Sequence, residues 1–227
     1  MTASSKTVRI DTRFRGPPDS ANGGYTAGLL AGTIDGPSEV TLRAPPPLDT
    51  NLTLAGDNQT ATLTDGDVLI ATARAAPLDL SPPPPVDYAT ALGVREQYAG
   101  FTAHNFPGCF VCGPERADTD GMRVFAAPHA DQVVAAWQAP GGPFDPLLIH
   151  AALDCPSYFA LRDSSLVALL GRMHGEVFAH PQPQETCVVV GWALGREGRK
   201  SYSGAALYGA DSRLLAMARN TWIELKP

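Results

Sequence analysis

The sequence predicts an α+β protein in which one structural unit is written twice, and three observations carry that reading. The run Ala61 to Asp67 followed by Leu69 to Arg74 (ATLTDGD, then LIATAR) returns as Ala205 to Asp211 followed by Leu214 to Arg219 (AALYGAD, then LLAMAR). The copies lie a whole small domain apart (Ala71 matches Ala216), far beyond the roughly 20–50 residues per repeat of a solenoid or propeller. Each copy also has the same order of patterns: a strand, one apolar helix, then a run of antiparallel strands that can wrap it. A looser echo pairs Val40 to Leu54 with Val177 to Val190. Two such sheets can join edge to edge about a pseudo-twofold axis, which removes two exposed edges and leaves a groove between the helices. Ligand sites fall between such halves, and a pseudo-dimer with one continuous sheet around two central helices is expected.

The first unit, residues 1–76, opens with alternation over Val8 to Phe14, and Gly16, Pro17, Pro18, Asp19 and Ser20 then supply turn and helix-start residues. Tyr25 to Ile34 is apolar around most of its circumference, which suits a buried helix ended by Asp35, Gly36 and Pro37. Strands follow at 39–43, 51–55, 59–64 and 68–73, with hairpin turns at Gly56 to Asn58 and Thr64 to Asp67. Over residues 77–120 the periodicity fails, and Ser81 to Val86 (SPPPPV) marks a stiff connector. The second unit, 121–227, resumes with strands at Met122 to Ala126 and Gln132 to Gln138. Asp145 then stands at an N-cap with Pro146 at the first helical position, opening a helix over Leu147 to Asp154 that ends or kinks near Pro156. Long strands are expected at about 168–179, 185–195, 200–208 and 213–225.

Composition narrows the function classes. Seventeen basic against 23 acidic residues, with no Lys/Arg cluster, argue against a nucleic-acid or anionic-membrane partner. No stretch approaches the roughly 20 apolar residues of a membrane span, and Met1 to Thr7 lacks the charged and apolar regions of a signal peptide, so a cytoplasmic location is expected. Four cysteines in 227 residues do not make a disulfide framework and are expected as thiols or metal ligands. No Gly-x-Ser-x-Gly, phosphate-binding glycine loop or His-Glu-x-x-His occurs.

Asp154 is the first candidate, a carboxylate inside the apolar stretch Leu147 to Phe159, where an ionised group is costly unless hydrogen-bonded or facing a wet cleft. His150, four residues earlier on the same helical face, stands within reach of it, and the two could orient a water; a buried Asp tied to backbone for structural reasons is the other reading. Asn22, Gly23 and Gly24 open the first helix and could present backbone N–H groups to an oxyanion, or could simply permit close helix packing. Asn220, an amide where the first copy has Ala75, is the third candidate, against an edge or surface position. Tyr158 joins His150 and Asn22 to Gly24 as an expected substrate contact. In the connector, Cys109-x-x-Cys112 resembles a zinc knuckle with His104 as a third ligand, but a fourth (Cys155, Cys187 or His174) would have to come from far in sequence. The expectation is therefore no metal, reduced thiols, and a structural turn packing Phe110 or Val111 onto the sheet.

Together these residues resemble the hotdog fold in its double-hotdog form, and the chain is similar to type II acyl-CoA thioesterases. The stretch Asn22 to Ala31 resembles that family's Gly-Gly-opened helix, and Ala151 to Asp154 its small-residue-then-Asp stretch. The resemblance implies that Asp154 orients the attacking water and that Asn220 stands where the family places a Gln sharing it. Where the family has a hydroxyl residue on the next strand, this sequence has Gly171, Arg172 and Met173. The resemblance implies hydrolysis of an acyl thioester, carried on CoA or acyl-carrier protein, without a cofactor; a homodimer is left open. A non-catalytic acyl-binding protein is the alternative, as is a hydratase or dehydratase on the same fold, although the His expected five residues after the Asp of such hydratases is Phe159 here.

Overall fold

The computed structural model describes residues 4–163 and 166–226. In chain order they form β1 (Ser4–Val8), α1 (Gly23–Ala31), β2 (Ser38–Leu42), β3 (Leu52–Gly56), β4 (Thr60–Asp65), β5 (Val68–Ala75) and α2 (Tyr88–Gly93). These are followed by β6 (Ala127–His129), β7 (Gln132–Gln138), α3 (Leu147–Ala152), α4 (Cys155–Phe159), β8 (Ala168–Val177), β9 (Thr186–Glu197), β10 (Lys200–Tyr208) and β11 (Leu214–Glu224).

Four local expectations are corrected. The first strand ends at Val8, because the Asp11 side chain accepts the Arg13 N–H at 2.7 Å and starts a 3₁₀ turn over Thr12–Phe14. Helix α1 opens at Gly23, where Asn22 Oδ1 caps it by accepting the Tyr25 N–H at 2.9 Å, but it ends at Ala31, short of the expected Ile34. Met122 to Ala126 precedes rather than forms a strand: Arg123 has φ 57, outside the extended region, and pairing starts at Ala127. The helix expected over 147–154 is two short helices, with Asp154 at the junction at φ −76, ψ −81. Pro156, in the first turn of α4, has no N–H with which to continue the α3 ladder. At the start of α3, Asp145 Oδ1 does accept the Leu147 N–H at 3.0 Å, one residue ahead of the cap position.

The strands form one eleven-stranded sheet in the order β1-β3-β4-β5-β2-β8-β11-β10-β9-β7-β6, with antiparallel neighbours throughout. Outward from the β2–β8 joint, β2-β5-β4-β3-β1 on one side matches β8-β11-β10-β9-β7 on the other, strand for strand. The register agrees in detail. Leu63 stands opposite Ala71 and Leu207 opposite Ala216, with a register shift immediately after each, at Thr64 and at Tyr208. At the joint Ser38 faces Gly175 and Val40 faces Met173. Ser38 and Val40 face Ala75 and Ala73, while Met173 and Gly175 face Asn220 and Ala218, so the joint maps onto itself around the Glu39–His174 pair. Leu42 opposite Ala71 corresponds to Val177 opposite Ala216, so the looser echo that set Val40 against Val177 is two residues out.

Helix α1 packs on α3 and on β2 and β8, and α4 packs on β9 and β10, so these helices lie against the sheet. The α1–α3 contact is close because α1 presents glycine: Gly24 lies against His150 and Ala151, and Gly28 against the His150 ring. The polyproline segment is no free spacer. Leu78, Leu80, Val86 and α2 cover the outer face of β7, β9, β10 and β11, packing on Val134, Val188, Val190, Ala206 and Met217. Burial on both faces explains why these strands are continuously apolar instead of alternating.

Candidate active site

Asp154 is 3 % exposed and sits where α3 gives way to α4, facing the N-terminus of α1. Its Oδ2 accepts two hydrogen bonds, from Asn22 Nδ2 at 2.8 Å and from the Gly24 N–H at 2.8 Å. Asn22 thus caps its own helix with Oδ1 and holds Asp154 with Nδ2, a division of labour that fixes the amide orientation. Asp154 Oδ1 is buried and has no hydrogen-bond partner among the described residues. Burial pushes the Asp154 carboxyl up to about 7, opposed by the Gly24 N–H.

His150 does not bond to Asp154. The break at Leu153–Asp154 takes the two residues off a shared helical face, and His150 Nδ1 is shielded from solvent without a partner. Burial, with His180 nearby, depresses the His150 pKa to about 4. A neutral His in the fold that charges near 6.5 when unfolded gives stability that is complete above pH 6.5 and is lost as pH falls toward 4. The melting temperature of the wild type is therefore expected to fall more between pH 7 and pH 5 than that of His150→Gln; parallel profiles would remove His150 as the cause.

Asn220 is fully buried and donates through Nδ2 to the Leu153 carbonyl at 2.8 Å and to Ser157 Oγ at 2.7 Å. Trp222 Nε1 donates to the same Ser157 Oγ at 3.0 Å, and Ser157 donates to the Asp154 carbonyl at 2.8 Å. Ser157, absent from the residues expected from sequence, is thus the node tying Asn220 and Trp222 of β11 to the Asp154 carbonyl, while Asn220 also holds the Leu153 carbonyl. A hydroxyl three residues after Asp in an apolar run was the available signal.

A cavity of about 600 Å³ opens beside this network, bounded by Asn22, Gly23, Leu170, Trp222 and Tyr158, with Asp154 in its wall. Gly24, His150 and Asn220 are not among its lining residues. The Tyr158 hydroxyl donates to the Leu166 carbonyl and accepts from Asn105 Nδ2 at 3.0 Å, and its ring lies 5.1 Å from that of Trp222, so it forms part of a fixed wall. The Gly24 N–H, expected to face an oxyanion, is spent on Asp154, and Gly23 alone of the pair borders the cavity.

The cysteine turn lies on the same cavity. Cys109, Cys112 and Cys155 are all buried thiols, and their sulfurs lie within 4.8 Å of one another. Hydrogen bonds from Cys112 and Cys155 pull the Cys109 thiol well below its usual range, while burial pushes Cys112 up and the bond with Cys109 pushes Cys155 up. Cys187 and His174 stand elsewhere, against the Glu185 and Ala76 carbonyls. Phe110 packs on the rings of Phe14 (4.9 Å) and Tyr25 (6.4 Å) at the start of α1.

No protein-family model matches the sequence, and no curated protein matches it. Solved structures do match, over nearly the whole chain. A conserved protein of unknown function with hot dog fold from Alicyclobacillus acidocaldarius superposes with TM-score 0.61 at 12% identity, covering 98% of this chain and 94% of that one. The acyl-CoA thioesterase II TesB2 of Mycobacterium marinum gives TM-score 0.58 at 12% identity, with 98% and 93% covered. The dehydratase domain of a mycocerosic acid synthase-like PKS gives 0.63 at 15% identity, with 99% and 92% covered. Likeness at such low identity establishes the hotdog fold. No helix among the described residues is long and apolar enough to cross a membrane.

Proposed function

We propose that the protein is a thioester hydrolase of double-hotdog architecture acting on acyl-CoA or a similarly carried acyl group, with Asp154 as general base. The observation that carries this reading is a buried carboxylate with one oxygen held by Asn22 and Gly24 and the other, Oδ1, buried without a partner among the described residues, on a residue that borders a cavity of about 600 Å³. The mirrored strand order supports the fused two-unit architecture, and the likeness to an acyl-CoA thioesterase supports the substrate class at the level of fold. A carboxyl raised to about 7 is matched to proton transfer at neutral pH.

In the proposed step Asp154 Oδ1 takes a proton from water, whose oxygen attacks the thioester carbon. The carbon–sulfur bond then breaks, and the leaving thiolate takes the proton back from Asp154, giving a carboxylic acid and a free thiol. With the Gly24 N–H committed to Asp154, the first-turn N–H of Gly23 is the remaining backbone donor for the oxyanion. Asn220 acts as a positioning residue through Ser157 and the Leu153 carbonyl. A cavity of about 600 Å³ suits an acyl chain lying among Leu170, Trp222 and Phe159.

Dehydration on this fold is disfavoured by the state of His104, the one histidine among the described residues lining the cavity. Its Nδ1 accepts the Phe106 N–H at 2.9 Å and its Nε2 lies 3.3 Å from Cys112 Sγ, leaving neither nitrogen free to serve as an acid or base beside Asp154. Incubation with acyl-CoAs of increasing chain length, followed by detection of released thiol, is expected to show catalytic turnover for at least one chain-length class. Thermal stabilisation by acyl-CoAs with no thiol release across the series would replace hydrolysis by ligand binding alone.

A further inference from the structure

We propose that Cys109, Cys112 and Cys155 are the ligands of a zinc ion, which fastens the connector to the start of α4 beside Asp154. Two residues come from one tight turn and the third from 43 or more positions away, so the fold brings together what the sequence separates. The three sulfurs lie within 4.8 Å of one another, and Cys109 Sγ is 3.8 Å from Cys155 Sγ. A tetrahedral zinc with Zn–S bonds of about 2.3 Å has sulfur–sulfur edges of roughly 3.8 Å. The thiols therefore stand at the separation of a metal site and not at that of a disulfide. Soft thiolates favour zinc over magnesium or calcium.

His104 belongs to the surroundings of the ion, not to its ligands. Its Nδ1 accepts the Phe106 N–H, so in the neutral ring the proton is on Nε2, which then donates to Cys112 Sγ at 3.3 Å. Such a donor tempers the charge of three thiolates on one dication. All three cysteines line the cavity that Asp154 borders, so the fourth coordination position opens onto that cavity. The turn is built for this approach. A Cβ on Gly113 would lie 2.4 Å from the Pro107 carbonyl oxygen and 2.5 Å from Cys109 N, and the Tyr98 hydroxyl holds the Cys112 carbonyl at 2.9 Å. The proposal is independent of whether Asp154 is catalytic.

Elemental analysis of the full chain, purified without chelator and under reducing conditions, is expected to give one zinc per chain. Cobalt(II) added after zinc removal is expected to give the intense thiolate-to-metal absorption of a sulfur-rich tetrahedral site. Chelation should lower Tm, and zinc should restore it. Cys155→Ser should lose the zinc, whereas Cys187→Ser and His104→Gln should each retain one. Because Cys155→Ser could fail to fold, the wild-type measurements decide alone: zinc below about a tenth of an equivalent, with no cobalt–thiolate absorption, would overturn the site. Loss of zinc in a folded His104→Gln would overturn the three-sulfur ligand set.

Discussion

Asp154→Asn is expected to lower turnover of every accepted acyl thioester by about 10²–10⁴-fold, the range contributed by a positioned acid or base, while the fold survives. The amide is isosteric, and its oxygen can still accept from the Gly24 N–H and Asn22 Nδ2, which stand 2.8 Å from Asp154 Oδ2. What is lost is the unpartnered Oδ1 as a proton acceptor. Removing a buried carboxylate also relieves desolvation, so the melting temperature should hold or rise slightly. Steady-state thiol release and thermal unfolding on the same preparation check both halves. Unchanged turnover in the folded variant would take Asp154 out of the mechanism.

Gly24→Ala is expected to destabilise the protein by roughly 2–4 kcal/mol, at or above the usual range for overpacking. A Cβ there would lie 2.5 Å from the His150 carbonyl oxygen, 2.6 Å from Asp154 Cβ and 3.0 Å from Ala151 Cα. Backbone on the facing helix cannot swing aside as a side-chain tip can. The helices must separate, and the Gly24 N–H bond to Asp154 must lengthen with them. Gly23→Ala is the internal control, since its Cβ would meet only side-chain atoms of Leu170 and Leu42, at 3.0 Å and beyond. Urea unfolding of the two variants should rank Gly24→Ala well below Gly23→Ala, and a Gly24→Ala within about 0.5 kcal/mol of wild type would show that the helix contact yields more easily than its geometry implies.

The Gly-Gly pair is legible in the sequence only in part. Two glycines opening a helix signal close approach, but sequence does not say to what. Gly23 faces the cavity, while Gly24 faces α3 and spends its N–H on Asp154. The polyproline segment was similarly half-read: its stiffness is local chemistry, but its place over Val134, Val188 and Ala206 depends on an outer sheet face left without other cover.

The sequence by itself determined where most strands run, the hairpin turns at Gly56 to Asn58 and Thr64 to Asp67, and the singling out of Asp154, because side-chain periodicity, turn residues and an isolated charge in an apolar run act over a few neighbours, whereas the order in which the strands pair came from the fold. Tertiary structure alone decided who holds Asp154, what Asn220 touches and which thiol joins Cys109 and Cys112. Asn22 is 132 residues from Asp154, Asn220 is 63 from Ser157, and Cys155 is 46 from Cys109. The expected His150–Asp154 contact failed for the same kind of reason: Asp154 sits at the junction between α3 and α4, and a turn of backbone geometry there redirects its carboxylate toward the other helix. Hydrogen-bond partners of buried groups are chosen by whatever the packed fold brings within about 3 Å, and periodicity carries no record of that choice.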